Sequence, residues 1–471
     1  MVAAATDFDV IVVGGGGGGL AAAATAAASG ASVLVAEAAA GVGGATALSG
    51  GSFMAAGTPA QAAAGYPDDT AGEFFDHYLT FNRWQADPAV ARRFCEQATP
   101  TMAWLTGLGV EFRPENLYRA GRERVPRSHR PTGGGLAIVE ALHRACRDGG
   151  VEFALGNRVD DLIVTDGRVT GVRSRGEELT AHAVVITTGG FGGNPGLYAE
   201  HFPDAGRGGG EPWSPEPATC AGDGLGLGAR VGAATGGRNR GELLLSTGFA
   251  RDLEPFVPGW LVYVTPDGRR FVNEAAPYTV ITPTLLTRAD WCWALFDEAA
   301  RKSATAPVDA RWGMGSWVGD VLLAEARSGR VLTADTVAGL AGATQMPAVA
   351  LTATVERYNA DCRAGTADSR FGKDPAAMKP ITTPPFYAVR LRPLVVAVTG
   401  FGLIIDADAR VLRESDGEPV AGLFAAGEVT GNVIGAQYLG GGNAVGSALI
   451  FGREAGRAAA GHAALVTGGA G

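Results

Sequence analysis

Apolar and polar positions fall into blocks from the start of the chain. Asp9-Val10-Ile11-Val12-Val13 is an apolar run of strand length, closed by six glycines from Gly14 to Gly19. A low-polarity helix is predicted over 20–29, ended by Gly30, and a second apolar strand over 31–36. Short apolar runs joined by a helix are the pattern of parallel strands covered on both faces. Asp87-Pro88 supplies a cap and a first-turn proline for a helix that closes at Gly109. Gly133-Gly134-Gly135 precedes a helix over 136–148, stopped by Gly149-Gly150. Residues 151–155, 159–165 and 169–173 read as a β-meander, with Asp166-Gly167 as a hairpin turn. Residues 183–188 form a buried strand leading into Gly189-Gly190-Phe191-Gly192-Gly193-Asn194.

The texture changes near residue 240. Trp260, Trp291, Trp293, Trp312 and Trp317, five of the eight tryptophans, crowd into one stretch. Such a cluster is more often core than substrate wall, although it suits an apolar ligand better than a dicarboxylate. Glycine-rich texture returns at Phe401 and persists through Gly440-Gly441-Gly442-Asn443. The expected architecture is α/β. A Rossmann-type nucleotide domain is built from 1–239 and 397–471, and an α+β cap domain, 240–396, is inserted between them.

Composition narrows the function classes. A chain of 471 residues has room for two or three domains and a large core. Its 72 glycines follow no period of three, which excludes collagen. A net charge of −9 argues against nucleic-acid or anionic-membrane partners. The cysteines Cys95, Cys146, Cys220, Cys292 and Cys362 are odd in number and never in CxxC spacing. A disulfide framework and a metal centre are therefore not expected. The first strand begins almost at Met1 and no uninterrupted apolar span stands outside the Ala-rich first helix. No leader and no membrane span are expected, and a reducing cytoplasm is the expected setting.

The candidate chemistry starts at Gly14-x-Gly16-x-x-Gly19. Gly14 permits a tight turn, Gly16 lets backbone N–H groups approach a pyrophosphate, and Gly19 lets helix and strand pack closely. The helix N-terminus offers positive partial charge to the anion. Glu37, at the end of the second strand, is placed to accept hydrogen bonds from a ribose diol. A second glycine-acid segment, Ala425-Ala426-Gly427-Glu428, is more than a nicotinamide enzyme needs. FAD is longer: Glu428 suits its ribityl hydroxyls, and the backbone from Asn443 to Ala448 opens a helix toward its ring.

Taken together, VVGGGGGGLAAA, GGATALSGG, VVITTGGFGGN, AGDGLGLG, GRRFVNEAAPY, GLFAAGEVTG and GGGNAVGSALIFGREAG resemble the fumarate reductase/succinate dehydrogenase flavoprotein superfamily. The resemblance covers nearly the whole chain. It implies cofactor contacts from Gly18 and Ala38, from Gly44, Ala45, Thr46, Ser49, Gly50 and Gly51, and from Val159. It implies further contacts from Thr188, Gly189, Gly190, Asn194, Asp223 and Gly427, and from Ala444, Val445 and Ala448. Succinate-oxidising members bind FAD covalently through a histidine in the GG…SGG segment. This chain has none between Gly43 and Gly51, so it resembles members that hold FAD non-covalently.

Within the superfamily, soluble fumarate reductases are distinguished by an arginine proton donor and a substrate-clamping arginine. Tyr278 and Tyr438 stand at the matching places here. A family histidine is also replaced, by the Val398-Thr399-Gly400-Phe401-Gly402 stretch. These substitutions resemble the 3-ketosteroid dehydrogenases. That likeness implies that Tyr278 removes the C2 proton, that Tyr438 and the Gly442 N–H polarise the C3 carbonyl, and that hydride leaves C1 for flavin N5. A tyrosine base has a free pKa near ~10, and lowering it by two units takes about 2.7 kcal/mol. Tyr118 is the candidate for the further tyrosine that the family uses to assist. One segment reads differently: Arg124-Val125-Pro126-Arg127-Ser128-His129-Arg130 is more like the carboxylate-reducing branch. An Arg127 or His129 facing the flavin would imply an acidic substrate.

Three functions follow as expectations. The leading one is FAD-dependent dehydrogenation of a 3-oxosteroid-like polycyclic ketone, an apolar small molecule, with an electron acceptor left open. The others are an ene-reductase for a small unsaturated carboxylate or enone, and a non-catalytic flavin-binding electron relay.

Overall fold

In a computed structural model, which describes residues 6–121, 123–251, 253, 257–304 and 315–468, the first apolar run is the strand Phe8–Val13. It pairs in parallel with Val33–Glu37 on one side and with Glu177–Ile186 on the other. Pro419–Ala425, from the far end of the chain, continues the sheet in parallel beyond Glu177–Ile186. Glu152–Leu155 adds in parallel to Val33–Glu37. Val10–Val13 and Ala183–Ile186 are buried throughout, as both-face coverage of parallel strands demands.

Residues 151–155 thus depart from the expected meander. They follow the helix Gly134–Asp148, which carries the chain back across the sheet, so the strand after it runs parallel to Val33–Glu37. The hairpin itself joins Asp161–Thr165 to Arg168–Ser174, with Asp166 and Gly167 both at positive φ. The helix Pro88–Gly107 is capped by Asp87, whose side chain accepts from the Ala89 and Val90 N–H groups.

Two ends of the chain meet through two helices. Gly17–Ala28 lies against the last helix, Asn443–Gly468, at backbone distance. A Cβ on Gly452 would overlap the Gly18 carbonyl oxygen, and one on Gly456 the Ala22 carbonyl. Only bare positions permit that approach.

The chain divides into two compact units. Met1–Phe202, Ser214–Glu242 and Val398–Gly471 form the first; Pro203–Trp213 and Leu243–Ala397 form the second. The first is the α/β nucleotide-binding unit. The second is α+β: Cys292–Asp297 pairs antiparallel with Val262–Val264 and with the long strand Phe386–Thr399, which also carries Val331–Ala334. Trp293 and Trp317 are buried in its two apolar clusters, with Trp260 and Trp291 packed at their margins. These four tryptophans are core; Trp312 lies outside the described residues. No helix among the described residues is long and apolar enough to cross a membrane.

A buried ionic group holds the second unit's Asn273-Glu274 segment. Glu274 accepts from Arg270 Nε and Nη2, both at 2.8 Å, from Lys373 Nζ at 3.1 Å and from the Tyr263 N–H at 3.1 Å. Arg270 also donates to Asp368 at 2.7 Å. Burial pulls the Lys373 ammonium below its ordinary pKa, and Glu274 opposes that fall. Removing one partner of such a group leaves buried charge uncompensated, at about 3–5 kcal/mol. Glu274→Ala is therefore expected to destabilise the protein by about that much in equilibrium denaturant unfolding. A loss below about 1 kcal/mol, the size of a surface ion pair, would contradict this placement.

Candidate functional site

The glycine turn forms as its spacing demands. Gly14 has φ +107, and a Cβ on Gly19 would overlap the Gly14 carbonyl oxygen, so the helix starts directly against the strand end. Gly16 differs from both. A Cβ there meets nothing within 4 Å, although it stands at the head of Gly17–Ala28. The first turn of that helix carries no acidic residue. Open space before unpaired helix N–H groups is a cradle for an anion. Glu37 is buried and braces the rim: Oε2 accepts from the Gly15 N–H at 2.6 Å, and Oε1 from the Ala39 N–H at 2.7 Å. Each oxygen keeps a second lone pair for another donor. Half-buried Ala38 lies between those contacts.

The other predicted segments converge on this turn. Gly43 forms a β-bridge with Gly16, and a Cβ on Gly17 would lie 2.5 Å from Thr46 Oγ1. Thus the short helix Gly44–Leu48, with Ala45 and Thr46, sits beside the cradle. Ser49 accepts from the Gly51 N–H at 3.1 Å and steadies the Gly50–Gly51 bend. Thr187 Oγ1 donates to the Gly14 carbonyl at 2.8 Å, which brings Thr188 and Gly189 alongside. Thr188 Oγ1 is buried with no hydrogen-bond partner among the described residues. Val159 follows Arg158, whose Nη1 donates to Asp223 at 2.6 Å. Asn194 uses its amide locally: Oδ1 accepts from the Gly196 N–H and Nδ2 donates to the Ala221 carbonyl.

Glu428 leaves the sheet just after Gly427. Its Oε1 accepts from the Thr399 N–H at 2.6 Å and from the Thr399 hydroxyl at 2.7 Å. A Cβ on Gly190 would lie 2.5 Å from the same oxygen. Gly427 lies against Ala448 of the last helix, and Gly18 faces the Ala448 carbonyl. At the head of that helix, Asn443 is fully buried and its Oδ1 has no partner among the described residues. Ala444 and Val445 follow in its first turn.

Tyr438 and Gly442 precede that helix. Tyr438 is buried, and burial pushes its phenol far up, helped by the nearby Glu242 charge; the Ala444 N–H works the other way. The hydroxyl therefore stays neutral and keeps its proton. Gly442, at φ +109, faces Phe53 and Met54 at backbone distance. Its carbonyl accepts from the Met54 N–H, and its own N–H finds no acceptor among the described residues. Tyr118 joins this group, donating to Ser52 Oγ at 2.8 Å with its hydroxyl against Gly441. Burial raises its pKa too, and Ser52 pulls it down.

Two further acids stand here that no motif marked. Glu242 is buried and its pKa is driven well up by burial. Glu216 is driven up by burial and by the Glu428 charge. The one occupies a polar place at the start of the strand Gly241–Ser246 and the other a Ser-Pro-Glu-Pro loop, neither with a spacing that could have flagged it.

Arg127 and His129 are turned to the protein. Arg127 pairs with Asp69 through Nε–Oδ2 at 2.9 Å and Nη2–Oδ1 at 2.6 Å. His129 meets Thr58 Oγ1 at 2.8 Å and the Arg127 carbonyl at 2.8 Å, and burial lowers its pKa. Tyr278 belongs to the second unit, as the half-buried first residue of the helix Tyr278–Leu286, four positions after the anchored Glu274.

The chain is similar to known proteins along most of its length. The FAD binding domain family matches residues 9–445. A "probable fumarate reductase" of Shewanella frigidimarina is 31% identical over 92% of this chain and 71% of its own length. An "NADH:fumarate oxidoreductase" of Klebsiella pneumoniae is 30% identical over 97% of this chain; the chain spans about half of that relative, 48%. Among solved structures, the 3-ketosteroid-delta4-(5alpha)-dehydrogenase of Rhodococcus jostii RHA1, in complex with 4-androstene-3,17-dione, superposes with a TM-score of 0.82 at 28% identity. That match covers 97% of this chain and 98% of the other. The open cradle at Gly16 and the orphaned polar atoms of Thr188 and Asn443 are what a bound dinucleotide would complete.

The two glycines separate binding from folding. Gly16→Ala is expected to leave thermal stability near wild type while weakening FAD binding tenfold or more, about 1.4 kcal/mol. Gly19→Ala is expected to lower the melting temperature itself. Fluorescence titration with FAD beside a melting curve checks both; unchanged FAD affinity in Gly16→Ala would remove the cradle.

Proposed function

The chain belongs to the FAD binding domain family and is an FAD-dependent oxidoreductase; on that premise we propose that it dehydrogenates a carbon–carbon bond beside a ketone, in a 3-oxosteroid-like polycyclic substrate. One observation carries the reading. Tyr438 is a buried phenol held neutral, and nearby in sequence the buried Gly442 N–H has no acceptor among the described residues. Two neutral donors suit a ketone oxygen that gains negative charge as the neighbouring proton leaves. A carboxylate substrate calls instead for a cation, and Arg127 is already held by Asp69.

The residues take the following roles. The head of the first helix with Gly16 receives the pyrophosphate, Glu37 the ribose, and Glu428 the ribityl hydroxyls. Asn443 and Ala444 open the last helix toward the ring. Bound FAD supplies the hydride acceptor, and with no histidine between Gly43 and Gly51 it is held non-covalently. Tyr278 accepts the proton from the carbon beside the carbonyl. Its mount is firm, since Glu274 ties the preceding turn to Arg270 and Lys373. Tyr438 and Gly442 donate to the carbonyl oxygen, and Tyr118 supports that corner through Ser52.

A second reading, reduction of an unsaturated carboxylate, is supported by the 31% identity to a fumarate reductase. Against it, tyrosines stand at the two places where the family likeness puts that chemistry's arginines.

With a saturated 3-ketosteroid under anaerobic conditions, Tyr278→Phe is expected to slow flavin reduction by about 100-fold or more, the usual share of a general base. Tyr438→Phe is expected to lose a comparable factor through the missing donor. Both variants should keep the wild-type flavin spectrum. Stopped-flow bleaching of the flavin makes the comparison, and reduction by Tyr278→Phe as fast as wild type would refute the assigned base.

A further inference from the structure

The second unit carries a pocket of about 180 Å³ whose wall holds four arginines and no acidic residue. It starts from the sequence of the helix Ala348–Ala364. Positions 350, 353, 354, 357 and 358 follow i, i+3, i+4, i+7, i+8 spacing and so share one face. Ala350 and Ala353 are small and leave a hollow there, and Arg357 stands one turn beyond Ala353. The preceding turn packs on the same face. Thr354 Oγ1 donates to the Gly268 carbonyl at 2.7 Å, and a Cβ on Gly268, at φ +75, would lie 3.0 Å from the Leu351 nitrogen. That contact brings Arg269 and Arg270 to the pocket. Arg370 closes a third side, its N–H donating to Asp368 Oδ1 at 3.3 Å.

The four arginines are not equivalent. Buried Arg270 is spent, since its guanidinium nitrogens donate to Glu274 and Asp368. The other three keep their charge for something else. Arg357 and Arg370 are exposed, and neither guanidinium has a hydrogen bond or ion pair among the described residues. Arg370 is steadied instead by the Phe371 ring, 5.5 Å from its centroid, a contact that uses no N–H donor. Arg269 has a loose partner in Asp267 at 3.8 Å, with both side chains more than half exposed. Such a surface pair contributes at most about 1 kcal/mol. Three like charges around one small hollow repel one another, and an anion seated among them removes that repulsion.

We propose that this pocket binds the phosphate or diphosphate group of a small molecule, with Arg269, Arg357 and Arg370 as its ligands. Size and charge select that class. Pockets for drug-sized organic ligands run to about 300–1,000 Å³, more than the hollow offers. A single planar carboxylate is filled by one bidentate arginine, whereas a tetrahedral, multiply charged anion has an oxygen for each of three guanidinium groups. Those groups come from three separate chain segments, which suits the tetrahedral shape. Exposed Ala353, Arg357 and Arg370 leave the pocket open to water, so the anion enters without any rearrangement. The site lies wholly within the second unit and stands independently of the reaction assigned to the flavin.

The test is isothermal titration calorimetry of the full-length, FAD-loaded protein with inorganic pyrophosphate. The loaded form is used because an empty cradle at Gly16 would take the same anion. One saturable site is expected, with affinity at least about tenfold above that for acetate at equal ionic strength. Arg357→Gln and Arg370→Gln should each weaken pyrophosphate binding by about tenfold or more, the size of one lost hydrogen bond to a charged group. Both residues are exposed, so the flavin spectrum and the melting temperature should stay at wild type. Ala353→Glu, which puts a carboxylate at the hollow, should abolish binding. No saturable site, equal affinity for acetate, or full affinity in any of the three variants would overturn the proposal. Parallel titrations with phosphate and ADP identify the source. ADP binding as tightly as pyrophosphate points to a nucleotide's diphosphate, and binding of the inorganic anions alone points to free phosphate or pyrophosphate; either supports the site.

Discussion

The structure depends on one close approach, that of the first helix to the last. Gly18 and Ala22 present backbone carbonyls to Gly452 and Gly456 at distances no side chain allows. Through this contact the end of the chain completes the unit that its start began. Pro419–Ala425 then enters the sheet beside Glu177–Ile186, and the head of the last helix arrives beside the glycine turn. Fully packed interiors transmit such constraints because there is no void to absorb a shift. Tyr438, Gly442, Asn443 and Glu428 are placed by this packing as much as by their own hydrogen bonds.

The same unit gathers acids and phenols. Glu37, Glu216, Glu242 and Glu428 lie near one another's charge, with Tyr118, Tyr198 and Tyr438 among them. Burial keeps the phenols protonated, so they act as donors. Arg127, which would have implied an acidic substrate had it faced the flavin, is neutralised by Asp69 within a network that also takes in Gln61.

Much of this was legible in the chain. The strand runs, the glycine turn, Glu37 and the Asp87 cap follow from local sterics and appear where periodicity puts them. Residues 151–155 were misread because an edge strand has the same alternation whether it pairs locally or with a distant partner; the crossover helix decides, and that is tertiary information. The tryptophan cluster was ambiguous for a related reason, since core and ligand wall share one composition. Glu216 and Glu242 were invisible. Their importance comes from burial beside other acids, and no spacing encodes what a side chain will face. The Arg270–Glu274–Lys373 group was equally hidden, although its Glu274 sits inside a motif read only for the tyrosine that ends it.

The central claim is that the donor pair at Tyr438 and Gly442 serves a ketone. Anaerobic titration of the oxidised holoprotein with a saturated 3-ketosteroid, set beside titration of the reduced holoprotein with fumarate, tests it most directly. The account predicts that the ketosteroid bleaches the flavin absorbance within seconds to minutes and that fumarate leaves the reduced flavin unchanged. Reoxidation by fumarate, with no bleaching by any cyclic ketone, would contradict it.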